Sequence, residues 1–322
     1  MEMKRKAIII LTTVAALTVA MVVLLIGCSQ EIDAVEVFNA FAGTDNVAPV
    51  LISASTQSSS VVKLDFSEPV KVYGSSFGEY SARSDGKSIY ISLPSSLEPG
   101  CRSEISGRVR DYAGNTCGFS VQVWGLNPRL PAVLINEFTT KGTEKSPDRT
   151  ELRIMSDGNV NGMVLYSGIP DDWDVRVVFP DMEVRKGENV VVWWTQDMPP
   201  SAEAYPSGLN ICAASSDGLP SNNGTLVLCD TPSIGAGILD AVVYSNFSPS
   251  HQGYGTKSAE QRAVWVIESG HWKGDALDST SSTATRSMSR NLDGRDSDSC
   301  GDWYITVTGG YTFGSDNTSE PY

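Results

Sequence analysis

From Pro49 onward, hydrophobic residues recur at every second position, the spacing of strands that bury one face. Val62, Leu64 and Phe66 alternate with Val61, Lys63 and Asp65; Ile89, Ile91 and Leu93 with Ser88, Tyr90 and Ser92; Phe119, Val121 and Val123 with Ser120 and Gln122. Turn-forming triplets separate these runs at Ser84-Asp85-Gly86, Glu98-Pro99-Gly100 and Ala113-Gly114-Asn115. The stretch 48–125 therefore predicts about seven short strands, enough for one sandwich of immunoglobulin size. Pro128 and Pro131 then deny a helix or a central strand, which marks 125–131 as a linker.

A second β-rich region follows, with apolar runs at 134–138, 150–154, 163–168, 175–179, 189–194, 224–230 and 238–244. Between Tyr244 and Ser287 the pattern is interrupted by an insertion at about 247–285. Within it, Ser258-Ala259-Glu260-Gln261 reads as a capping box that opens a short helix through Ile267. The fold class that follows is all-β, two β-sandwich domains in tandem, with one short helix in the insertion of the second.

The start of the chain has a different pattern. Lys4, Arg5 and Lys6 precede an uncharged run over 7–26, and Leu25-Ile26-Gly27-Cys28 closes it. A basic start, an apolar middle and a small residue before a cysteine define an export signal over 1–27. The last four residues resemble the lipobox of bacterial lipoproteins, which implies lipid on Cys28 and cleavage just before it. An uncleaved membrane helix is the alternative, since about 20 apolar residues span a bilayer. The cysteine at the end of the apolar run, followed at once by polar residues, favours the lipoprotein. Residues 28–47 then form a polar, acidic tether.

Short motifs within the β regions carry two further resemblances. FSEPV at 66–70, LEPG at 97–100 and RDYAGN at 110–115 resemble the bacterial Ig-like modules of surface-layer and adhesin proteins. Over 131–318, the ordered set LINEF, TELRI, GTLVLCD, ILDAVVY, SMSR, DSDSCGDW and TFGSDN resembles a lamin-tail domain, an Ig-like sandwich of nuclear lamins and many secreted bacterial proteins. The resemblance implies structural roles for Glu137 and Glu151, with Arg290 of the S-x-x-R motif as their counter-ion. An acid/base reading of the two glutamates on neighbouring strands is the alternative.

Charge narrows the partners. The chain has 24 basic and 38 acidic residues, a net charge of −14. Removing 1–27 takes away three bases and one acid and leaves it more acidic still. Such a surface repels nucleic acid and anionic headgroups, so the expected partners are a membrane through the lipid and a protein or glycan ligand. In an oxidising compartment Cys101 with Cys117, and Cys212 with Cys229, are near enough in sequence to close short loops, each contributing about 3 kcal/mol. A free buried thiol at any of these sites is the alternative, and Cys300 is left over.

Catalytic motifs are scarce. His251 and His271 are the only histidines, and the sequence contains no H-E-x-x-H, G-x-x-x-x-G-K-[ST] or C-x-x-C pattern. The expected function is non-enzymatic; an accessory or weak hydrolase role is the alternative, because lamin-tail domains accompany hydrolases. No cofactor is implied, apart from calcium at the acidic loop of Asp293, Asp296 and Asp298, whose spacing departs from the EF-hand pattern. Trp193 and Trp194 point opposite ways on a strand, which predicts one in the core and the other at the surface or between domains.

Overall fold

The computed structural model of the protein describes residues 45–74, 77–204, 209–292, 294–318 and 321–322. The export segment, Cys28, nearly all of the tether and Asp293 lie outside the described residues. Among the described residues no helix is long and apolar enough to cross a membrane.

The first β region contains β1 (Leu51–Ser58), β2 (Val61–Phe66), β3 (Lys71–Val72), β4 (Ser81–Asp85), β5 (Ser88–Ser92), β6 (Arg102–Arg110) and β7 (Thr116–Trp124). They form a four-stranded sheet in the order β1-β2-β5-β4 and a three-stranded sheet in the order β3-β6-β7. The alternating residues meet as the pattern predicts. Val62 stands opposite Ile91 and Leu64 opposite Ile89, and all four join Ile105, Val109 and Val123 in one core. A slip of one residue would turn this whole set toward solvent, which fixes the register. The turn Tyr112–Asn115 belongs to a separate unit with Asp45–Val47. There the Asn115 amide donates to the carbonyls of Asp45 and Val47 at 3.0 and 3.1 Å.

The second region contains β8 (Val133–Thr139), β9 (Arg149–Ile154), β10 (Gly158–Asn159), β11 (Val164–Ile169), β12 (Asp172–Val178), β13 (Glu183–Val184) and β14 (Asn189–Trp193). It continues with β15 (Asn210–Cys212), β16 (Gly224–Cys229), β17 (Ile238–Ser245), α1 (Lys257–Glu268), β18 (Leu277–Asp278), β19 (Met288–Arg290) and β20 (Trp303–Ile305). A five-stranded sheet, β12-β11-β16-β17-β18, and a six-stranded sheet, β15-β14-β9-β8-β19-β20, share one hydrophobic core, while β10 and β13 pair apart. The fold is all-β and sandwich-like, with one α-helix among the described residues.

That helix explains why β11 and β16 are buried along their whole length. It packs against β11, β16 and β17, placing Ala263 and Val266 on a sheet face that would otherwise be wet. Arg262 fastens it with four hydrogen bonds to Asp172 and Asp174 on β12, between 2.7 and 3.0 Å. The cap lies two residues before the expected one: Thr256, in extended backbone, accepts the Ala259 N–H at 3.2 Å. Ser258 instead bonds the Asp172 carboxylate at 3.3 Å.

The residues Ala48–Asp111 and Thr116–Tyr322 form one compact unit with two cores. The linker between them is pinned. Buried Asn127 donates to the carbonyls of Asn159 and Asn161 at 2.8 and 2.9 Å, and Arg129 forks onto Glu183 with both contacts at 2.7 Å. The Asn161 amide reaches the Pro99 carbonyl at 2.9 Å, and Ala54 N–H reaches Ile234 O at 2.9 Å. Strand directions then send the loops 140–148, 213–223 and 279–286 to the end of the second sandwich remote from this seam.

Candidate functional site

Glu137 on β8 and Glu151 on β9 stand directly opposite each other in the ladder, both fully buried. Their partners are neutral. Glu137 accepts the hydroxyls of Ser287 and Ser289 at 2.5 and 3.1 Å, and the Thr312 N–H and hydroxyl at 3.0 and 3.1 Å. Glu151 accepts the Asn136 amide at 2.7 Å and the Gly314 N–H at 2.5 Å. Burial raises the Glu137 carboxyl against these donors. Burial, and then the charge of Glu137, pushes Glu151 up to about 8.

The geometry gives these carboxylates a structural task. After β20 the chain returns across the outer side of the six-stranded sheet without forming a strand, so its buried N–H groups need acceptors. Glu137 and Glu151 supply them, and Asn317 completes the clasp by donating to Arg290 O at 2.7 Å. Asn136 and Asn317 line an adjoining cavity of about 370 Å³.

The expected ion pair between these glutamates and Arg290 is not formed. In the β8-β19 register Glu137 stands opposite Ser289, and neighbouring residues on a strand face opposite ways, so Arg290 points to the other side. There it is almost fully enclosed, bonded to Asp240 at 2.8 Å, Asp296 at 3.0 Å and Ile135 O at 2.9 Å, with its guanidinium over the Trp303 ring. Burial pushes the Asp240 carboxyl up to about 7 in spite of Arg290, whose charge opposes the shift. Asp240 was missed by the sequence reading, although a lone acid inside the apolar run ILDAVVY is a visible sign of a buried partner.

The acidic loop is likewise held by the chain's own cations. Asp296 bonds Arg290, and Asp298 bonds Lys273 at 2.8 Å, so the described carboxylates of the calcium reading point to different side chains. Neither proposed disulfide is present, and all five described cysteines are free. Cys101 precedes Arg102, which faces Trp124, whereas Cys117 faces Val109. Seven ladder positions separate those pairs, roughly 23 Å at the rise of a strand, far beyond the reach of a disulfide. Cys212 and Cys229 sit in different sheets. Cys212 bonds the Thr195 carbonyl at 2.8 Å, and burial pushes the Cys229 thiol up to about 12.

Both adjacent tryptophans are buried, so neither takes the expected place at the surface or between domains. Trp194 lies in the inter-sheet core and bonds Thr150 at 2.9 Å. Trp193 packs on the opposite face with Ala202 and Phe313, and with the guanidinium of Arg149 over its ring.

At the remote end the loops are tied to one another. Thr140 donates to Ser221 O at 3.0 Å, Lys141 to Ser279 O and Ser282 O at 3.0 and 3.1 Å, and Ser146 to Ala284 O at 3.1 Å. Tyr244 donates to Pro220 O at 2.8 Å and Ser279 to Asn222 O at 2.6 Å.

This architecture defines an all-β sandwich protein whose enclosed polar residues brace its own backbone. More specifically, the chain belongs to the family described as TP_1001_2nd, protein second domain, whose model matches residues 131–305, more than half of its 322 residues. No curated protein matches it. The matched range ends with β20, so the returning segment clasped by Glu137 and Glu151 lies beyond it.

Proposed function

We propose that the chain is a cell-envelope lipoprotein, exported by 1–27 and held at a bilayer by lipid on Cys28. In this reading it presents rigid sandwiches for adhesion, protein binding or structural spacing and catalyses no reaction. The motifs support a bacterial Ig-like module over 48–125 and a lamin-tail-like module over 131–318, with 247–285 as its insertion.

The observation that carries this reading is the set of cross-links among the loops at the remote end. A surface fixed before it meets a partner loses less entropy on binding, which suits a binding or spacer module. The enclosure of Glu137 and Glu151 by the chain's own donors supports a non-catalytic role, because acid/base work needs a group that reaches a substrate. The net charge of −14 disfavours nucleic acid as a partner.

Fractionation of cells expressing wild type and Cys28→Ala tests the anchor. Wild type is expected in the membrane fraction, with the variant released or retained as an uncleaved precursor of higher mass. A variant of unchanged mass and unchanged membrane association would contradict the lipoprotein reading.

A further inference from the structure

A cleft of about 450 Å³ opens among the loops of the remote end, with Asp148 at its floor. The floor is built around that carboxylate. The Gly142 N–H donates to one oxygen at 2.6 Å and the Leu219 N–H to the other at 2.9 Å. A Cβ on Gly142 would stand 2.5 Å from the Asp148 nitrogen, and one on Gly218 would stand 2.5 Å from its Oδ2. Glycine at both positions therefore lets two backbone segments converge on the acid.

The charges nearby are arranged unevenly. Among the described residues, Glu144 and Asp148 are the only ionisable ones lining the cleft, accompanied by polar Thr143, Thr195, Gln196 and Ser216. The basic neighbours are turned to other tasks or lie outside the lining. Lys141 is held by two carbonyls on 279–282, and Arg149 lies over the rings of Tyr311 and Phe313 at 4.6 and 4.3 Å. Lys145 is exposed on the same loop, apart from the lining residues. Asp240, Asp172 and Asp298 are each matched to a cation, Arg290, Arg262 and Lys273. Among the described residues no salt bridge is formed by Asp148, a buried acid that lines the cleft and accepts only two backbone N–H groups.

We propose that this cleft binds a primary ammonium group carried on a peptide partner, with Asp148 as the counter-ion at its floor, Glu144 at its rim and the surrounding hydroxyls as further acceptors. The proposal rests on the binding-module reading above and names the ligand chemistry of that surface. Burial pushes the Asp148 carboxyl up to about 6, against the two N–H donors and the charge of Arg149. A bound cation favours the ionised form, so affinity should fall as the pH drops through that value. The other ionisable groups on the segments around Asp148 are Lys141, Glu144, Lys145, Asp217 and Tyr244.

The test is calorimetric titration of the full-length chain with tetralysine at low salt, with tetraglutamate and fully acetylated tetralysine as controls. Wild type should bind tetralysine alone, and more weakly at pH 5 than at pH 8. Asp148→Asn should lose at least about tenfold in affinity. Glu144→Gln, on an exposed loop where folding is not at stake, should weaken binding severalfold, whereas Glu79→Gln on the first sandwich should change nothing. Absence of saturable binding at pH 8, or Glu144→Gln behaving as Glu79→Gln does, would overturn the proposal. That outcome differs from failure of the anchored-module reading, which is decided by the Cys28→Ala fractionation.

Discussion

Burial, and then the charge of Glu137 opposite, keeps Glu151 protonated through neutral pH against its two neutral donors. Its folded pKa of about 8 lies above the ordinary value of 4.5, so between those values the folded state binds more proton than the unfolded one. Stability should therefore decline as the pH rises across that window, by at most about 1.4 kcal/mol per pH unit. Glu151→Gln, close in shape to the protonated acid, should flatten the decline, and parallel denaturant midpoints for both proteins from pH 5 to 8.5 would refute this. Arg290→Ala should cost about 3 kcal/mol, because Asp240 loses its partner inside the protein; an unchanged chemical-denaturation midpoint would contradict it. That Glu137 and Glu151 fall on neighbouring strands was legible in the sequence. Their pairing was not, since strand register decides which face each residue occupies, and the donors to the glutamates include backbone N–H groups of Thr312 and Gly314 that leave no mark in composition.

Among the elements, strands with one wet face were the most legible, because β2, β5 and β7 alternate cleanly. The strands β11 and β16 carry continuous apolar runs instead, and the reason is α1, which covers their outer side. The helix itself was legible, whereas its cap shifted to Thr256 because the Ser258 hydroxyl is taken by Asp172. Arg262 joins α1 to β12 through partners that are about half exposed, so the link is worth about 1 kcal/mol. Arg262→Ala should speed amide exchange over 257–268 several-fold and leave β11 and β16 protected. Uniform exchange across helix and sheet in both proteins would show that the helix does not open as a separate unit.

At the scale of the whole molecule, the two β regions were legible, the first from period-two patterning and the second from its apolar runs, but the stiffness between them was not. Two prolines mark a linker without revealing that Asn127 and Arg129 fasten it to 159–161 and Glu183. A pinned linker joins the two cores into one compact unit; in the proposed reading a tether over 28–47 holds it off the bilayer. Protease shaving of intact cells should remove the protein if that body faces outward, and protection until the cells are lysed would place its partners inside the envelope. The anchor itself is tested most directly by the intact mass of the native protein extracted from membranes. The expected result is a chain that starts at Cys28 and carries acyl mass; a chain that keeps Met1 and lacks any acyl group would contradict the proposed anchor.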